Sequence, residues 1–351
     1  MATWRRPRLR RRLFLVTAAA AALVGLDLAR WATIGSDEMA RSDFPALAAG
    51  GYLVTRGARA QVYDPASQAQ VYRAVIQGTH SGFLPFNHAP LSALLYAPTS
   101  RLPLVWAYHA FGALQALFLV AGCLLALRAA PWPPGSPRLL KVGVLIAALA
   151  GAGTLPLLLQ GQDDGVIALA VGAAYFAVRR HRSVLGGAIL AFVAGGTKPH
   201  LLLGVVVLIG VRRDLRLLGG AAVGALLAVV VSLGAVGPAG LAGFARVALS
   251  SSTAWPSHWF LGLPAIPASL LGENTAAHTT GLGLSIVALG AAAWFAGRWR
   301  EAPHALEAGL GGALCLSLAA APHLLGHDLV ILTPLLIALG ARAAGVSPAR
   351  L

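Results

Sequence analysis

The feature that most constrains this chain is a repeated alternation: long apolar runs separated by short clusters of arginine. The runs include Leu13–Ile34, 103–127, 142–159, 165–178, 183–196, 201–211, 217–236, 282–296, 306–321 and 329–344. Between them fall Arg128, Arg138, Lys141, Arg179, Arg180, Arg182, Arg212, Arg213, Arg216 and Arg298. With 57% hydrophobic residues, 11% charged residues and a mean hydropathy of +0.73, the chain lies well outside the soluble range. In lipid every backbone polar group needs an internal partner, so such runs must be helices. The expected fold class is an all-α polytopic membrane protein with roughly ten transmembrane helices.

The net charge of +15 raises nucleic acid as a partner. The arginines instead alternate with apolar runs, which is the positive-inside pattern, so the expected partner is the lipid bilayer and no nucleic acid. Arg5, Arg6, Arg8, Arg10, Arg11 and Arg12 precede the first run. It is read as an uncleaved first span with its amino end in the cytoplasm. Treating 91–97 as a crossing would export the arginines at 179–182 and 212–216, so it is read as re-entrant or lying on the outer surface. Cys123 and Cys315 both sit inside apolar runs and indicate neither a disulfide framework nor a metal site.

This topology sends four polar stretches to the outer face. The first is an outer loop, 35–101, whose segment 47–77 is read as short amphipathic helices lying in the interface. It opens with Asp37-Glu38 and Ser42-Asp43 and ends at Phe86-Asn87-His88-Ala89-Pro90. The others are Gln160-Gly161-Gln162-Asp163-Asp164, Lys198-Pro199-His200, and Pro322-His323-Leu324-Leu325-Gly326-His327-Asp328. A second outer loop is expected over 237–281, containing Trp255-Pro256-Ser257-His258-Trp259.

Each stretch has a chemical and a plain reading. Asp43 fits a general base and fits a helix cap equally well. Asp37-Glu38, an acidic pair that could serve as a base or hold a metal, is on the same loop but closer to the first span and is the second choice. Lys198 lies on the outer side against the charge bias; it suits a lipid phosphate, or snorkelling to headgroups. Gln160 and Gln162 suit sugar hydroxyls, or a simple loop. His323 and His327 stand at i, i+4, but zinc needs a third ligand and none is evident, so a proton relay or a phosphate contact is the functional reading and a polar span end the plain one. His88 and the 255–259 stretch suit acceptor or lipid contacts, or an aromatic belt. Asp27 and Arg30 are read as a mutual i, i+3 pair. There is no glycine-rich phosphate-binding turn, hence no nucleotide-binding domain.

Taken together, the pattern resembles glycosyltransferase family 87. The matching pieces are Ser42-Asp43-Phe44 with 48–57 and Tyr63-Asp64, the 86–90 entry, Gln160-Gly161-Gln162, Lys198-Pro199, Pro322-His323 and His327-Asp328. Two positions depart from the family's pattern: His88-Ala89-Pro90 stands for an aromatic-Pro-Pro entry, and Asp163 for a neutral residue. The resemblance implies a GT-C fold in one membrane-embedded domain spanning 1–351. It implies Asp43 as base and Lys198 and the late histidines near a donor phosphate. The donor it implies is a polyprenyl phosphate sugar, the sugar mannose, and the acceptor a lipid-linked or envelope glycan, on the outer face of the plasma membrane. Such a donor brings its own leaving group, so no cofactor and no metal are expected. The alternative class is a transporter or flippase, which would show paired broken helices in two halves; no such symmetry is visible. A third reading is a non-catalytic membrane subunit.

Overall fold

The structure is a computed structural model and describes residues 7–76, 83–254, 256, 259–298 and 305–345. Trp255, Ser257 and His258 of the expected aromatic stretch lie outside the described residues. Every regular element among those residues is helical. In chain order these are α1 (Pro7–Ala32), α2 (Ser36–Met39), α3 (Phe44–Thr55), α4 (Pro65–Ile76), α5 (Pro90–Tyr96), α6 (Leu104–Ala129), α7 (Arg138–Leu149) and α8 (Thr154–Gln160). There follow α9 (Asp164–Arg179), α10 (Ser183–Thr197), α11 (Leu203–Arg212), α12 (Leu215–Ala254), α13 (Ala265–Leu271), α14 (Thr275–Arg298), α15 (Ala305–Ala320) and α16 (Thr333–Ala343). Short 3-10 turns at Pro199–Leu202 and Gly326–Leu332 lead into α11 and α16.

All ten apolar runs are helical, but their lengths differ. Among the described residues five helices are long and apolar enough to cross a bilayer: α1, α6, α12, α14 and the 3-10 turn continued by α16. A sixth crossing is available if α7 and α8, bent by 45° at the Gly151–Gly153 break, count as one. Helices α9, α10, α11 and α15 have 16, 15, 10 and 16 residues. At about 1.5 Å per residue each falls short of a hydrocarbon core about 30 Å thick. The chain is therefore a multi-pass membrane protein with at least five candidate spans.

Lipid exposure is written on the outer helices. Leu226 and Val230 on α12, Ile286 and Val287 on α14, and Trp106 on α6 leave their apolar side chains exposed. Water would penalise such surface, whereas lipid tails do not. Helix contacts inside the body instead use small residues. On α6 and α9, Gly122 and Gly172 bring the two backbones together: a methyl group on either would strike the other helix's main chain. Gly187 on α10 and Gly220 and Gly224 on α12 do the same, with no lobe of side chain between the helices.

The outer segment is not a set of helices floating on the interface. Helix α3 buries Phe44, Pro45, Ala46, Leu47, Ala48, Ala49, Gly50, Gly51 and Leu53, leaving almost no solvated face. Phe44 is ringed by Tyr96, Tyr108 and Phe111 at 5.5–6.0 Å between centroids. The run of alanines and glycines read as amphipathic in fact lets α3 sink against α5, with Gly51 touching the Tyr96 backbone. Helix α5 has seven residues and is buried, too short to cross. The 237–281 segment is also more regular than a loop: α12 continues past a break at Gly237-Pro238, and α13 and the start of α14 follow. Arg30 pairs with Glu38 and not with Asp27.

One consequence positions the chemistry. Helix α9 begins at Asp164 and ends at Arg179, and α10 returns from Ser183 to Lys198. The polar turns therefore gather at one end of the body. At the other, Glu307 accepts hydrogen bonds from Tyr175 and Arg342 and lies 3.7 Å from Arg179, tying α9, α15 and α16 together.

Candidate active site

Asp43 ends the link from α2 to α3, but its side chain does not cap the helix. The N–H of Phe44 turns to the Ser42 hydroxyl, at 3.3 Å. The Asp43 carboxylate points elsewhere: Gln162 Nε2 donates to its Oδ2 at 2.6 Å. Its own backbone N–H donates to Gln160 Oε1 at 3.1 Å. The cap reading is thereby overturned. Half-buried and lining a cavity, the carboxyl has its pKa raised by desolvation. The Gln162 hydrogen bond and the charges of His88 and Lys198 pull it back, and Asp328 pushes it further up.

The cavity encloses about 300 Å³. One wall is polar and comes from distant turns: Asp43, His88, Gln162, Lys198, His200, His323, His327 and Asp328. The lining also has an apolar and aromatic part, with Leu84, Phe244, Trp259 and Phe260. His323 stands edge-on to Phe260 at 4.8 Å. Predicted residues Asp43, His88, Gln162, Lys198, His323 and His327 thus converge on one pocket. Gln160 does not reach it; its amide is committed to the backbone of Asp43. Asp37 and Glu38 are exposed on the surface, Glu38 paired with Arg30, and neither lines the cavity.

Part of the pocket lining, Lys198 and Asp328, belongs to a charged network that sequence reasoning did not assemble. Lys198 Nζ donates to Asp164 and to Asp328, at 2.9 Å each, with all three side chains buried. Burial alone would depress the lysine's pKa; the two carboxylates more than offset it and hold the ammonium charged. Asp328 also accepts from the backbone N–H of Leu325, at 2.7 Å. The sequence had treated Lys198 as a cation free for a lipid phosphate; here its charge is already shared between two carboxylates. Asp163 lies behind His88, with its Oδ1 3.6 Å from His88 Nδ1 and its Oδ2 accepting the Ser92 hydroxyl at 2.5 Å. The two positions that depart from the family's pattern therefore face each other.

His323 and His327 do not share a helical face. Helix α15 stops at Ala320, and the 3-10 turn begins at Gly326. The group that could hold a metal ion is a different one from the His323–His327 pair: His327, Asp328 and Asp164, within 4.8 Å of one another, without His323. The Lys198 ammonium stands between the two carboxylates, where a cation would sit, so the donor set as folded already holds its positive charge. The signal for this network was present in the sequence: a lone outer lysine among scarce acids, three of them adjacent to glutamine or histidine motifs. Which acids met the lysine depended on packing.

Compared with known proteins, the chain matches the model of glycosyltransferase family 87 over residues 86–322. No curated protein and no solved structure matches it. The match covers His88, Gln160, Gln162 and Lys198; Asp43, His323, His327 and Asp328 lie outside it, so their place in the site rests on geometry.

Proposed function

Because the chain belongs to glycosyltransferase family 87, we propose that this membrane glycosyltransferase moves a hexosyl unit, mannose first among them, from a polyprenyl phosphate donor to a lipid-linked or envelope glycan. In this reading the ten helical runs are ten crossings of a GT-C fold. The amino end is cytoplasmic, and the pocket opens at the outer face of the plasma membrane. The arginine clusters at the opposite end of the helices support that orientation.

The observation that carries the reading is the placement of Asp43. A carboxylate at a helix start would ordinarily cap the helix; this one is turned into a cavity and gripped by an amide. Its raised pKa makes it a stronger base than a solvated aspartate, while the Gln162 amide and the Lys198 charge act in the opposite direction, favouring the carboxylate. An acceptor hydroxyl attacks the anomeric carbon from the side opposite the phosphate, its proton passes to Asp43, and the carbon–oxygen bond to phosphate breaks, inverting the anomeric centre. The departing phosphate is a good leaving group and needs charge complementarity more than a proton, so no separate cofactor is called for. His88, His323 and Lys198 all line the pocket, and in this reading they meet the phosphate. The aromatic wall abuts exposed Trp259 and Leu261, a route by which a polyprenyl chain stays in lipid while its sugar enters.

Membranes containing wild type or Asp43→Asn, supplied with radiolabelled polyprenyl phosphate sugar, test this. Transfer by wild type alone is expected. Transfer by both would remove Asp43 from the role of base, and transfer by neither from several donors would remove the donor class.

A further inference from the structure

The two glutamines of Gln160-Gly161-Gln162 suit sugar hydroxyls by residue type, yet every one of these three residues is engaged with Asp43 or its neighbour. Gln160 Oε1 accepts the Asp43 backbone N–H at 3.1 Å. Gln162 Nε2 donates to the Asp43 carboxylate at 2.6 Å. Gly161 between them adopts a left-handed conformation (φ 62°), and a Cβ there would lie 2.8 Å from the Phe44 Cβ. The turn is itself anchored from behind: the Tyr96 hydroxyl donates to the Gly161 carbonyl at 2.7 Å, and Tyr108 donates to the Leu158 carbonyl at 2.8 Å.

Gln162 is 3% exposed, and its Oε1 is buried without a hydrogen-bond partner among the described residues. A buried orphan acceptor is destabilising, so an amide at this position is retained against its local penalty. A sugar hydroxyl cannot reach an oxygen so enclosed. What the amide does accomplish is to fix one carboxylate oxygen, Oδ2, of a residue that lines the cavity.

We infer that Gln160-Gly161-Gln162 is a receptacle that positions the base, with Gln162 a positioning residue acting through Asp43 and not a sugar-binding one. This rests on the reading of Asp43 as the base and adds which residues aim it. The carboxylate is faced by Gln162 from the α8–α9 turn, His88 from the entry to α5, Tyr96 from α5 itself, Lys198 from the end of α10, Asp328 from the turn before α16, and Tyr72 from α4. Of these, Gln162 alone among the described residues donates a hydrogen bond to it.

The test is the pH dependence of sugar transfer by full-length Gln162→Leu, Gln162→Glu and Asp43→Asn in membranes. Losing a hydrogen bond to a charged group is expected to lower kcat at neutral pH roughly 10- to 100-fold, with donor and acceptor KM within about threefold. Because the amide favours the ionised carboxylate, its loss moves the ascending limb of the profile upward by about one pH unit. The gap between wild type and Gln162→Leu then narrows by up to about tenfold toward high pH, and what is left is the cost of a base no longer aimed. Gln162→Glu, nearly the same size, places a like charge beside the base and moves the limb further in the same direction. It also serves should Gln162→Leu fail to accumulate. An unmoved limb in the glutamate variant, or a rise in KM alone, overturns the inference in favour of a structural or sugar-binding glutamine. Retained turnover in Asp43→Asn overturns the base itself, whatever Gln162 does.

Discussion

Replacing Lys198 by methionine removes the cation from a site where two buried carboxylates depend on it. At 2.9 Å from each of Asp164 and Asp328, the attraction is about 6 kcal/mol per pair at an effective dielectric of about 20. Desolvating three ions offsets most of that gain, so the intact cluster adds little net stability. The balance changes when one member is lost, because two like charges then remain buried side by side. Breaking such a cluster is expected to cost about 3–5 kcal/mol, less whatever Asp164 and Asp328 recover by taking up a proton. The assay is thermal unfolding of the purified protein in detergent, where Lys198→Met should melt several degrees below wild type. Adding Asp164→Asn and Asp328→Asn should restore much of the loss, a coupling read from the double-mutant cycles. A Lys198→Met protein that melts like wild type but binds donor more weakly would refute this reasoning. It would show the lysine's charge to be available to phosphate and the carboxylates to be neutral in its absence.

Three other outcomes follow from the same geometry. Asp43→Asn should abolish transfer without lowering the melting temperature. Burial raises the Asp43 pKa, so ionising it opposes folding, and wild-type stability should increase as pH falls through that raised pKa toward the ordinary aspartate value; a melting curve of Asp43→Asn with the same pH slope as wild type would refute the assignment. Gly161→Ala combines a left-handed backbone with a collision at Phe44, so it should lose about 1–2 kcal/mol or more of stability and most of its transfer rate; wild-type melting and rate would contradict the packing. Glu307→Gln leaves Arg179 and Arg342 without their shared carboxylate and should cost about 2–3 kcal/mol, while the pH profile of transfer keeps its limb; a shifted limb would connect that end of the protein to the reacting groups.

Much of the architecture was legible without coordinates. Apolar runs in lipid have no alternative to helix, and all ten are helical, the 142–159 run as the bent pair α7 and α8. Asp43, His88, Gln162, Lys198, His323 and His327 were recognisable because polar residues are rare here and each interrupts an apolar pattern. What was misread was length and depth. Helix α3 looked amphipathic, since alanine and glycine carry no signal of which face is buried, and it is packed on nearly all sides. The His323–His327 spacing suggested a shared face, but the chain leaves the helix at Ala320. Gln160 and Gln162 looked alike, and one reaches the cavity while the other holds a backbone.

The sequence by itself determined a helical, multi-pass membrane protein, with polar turns expected at one end of the helices and the clusters of arginine between them at the other. That much depends only on solvent: lipid forbids unpaired backbone and disfavours charge, so hydropathy and the arginine clusters suffice. Only the tertiary structure decided the partners: that Asp43 faces Gln162, that Lys198 lies between Asp164 and Asp328, and that His88 stands against Asp163. These contacts join turns far apart in the chain. Their selection is a matter of angstroms, set by how closely glycine-lined helices approach, which a one-dimensional pattern does not carry.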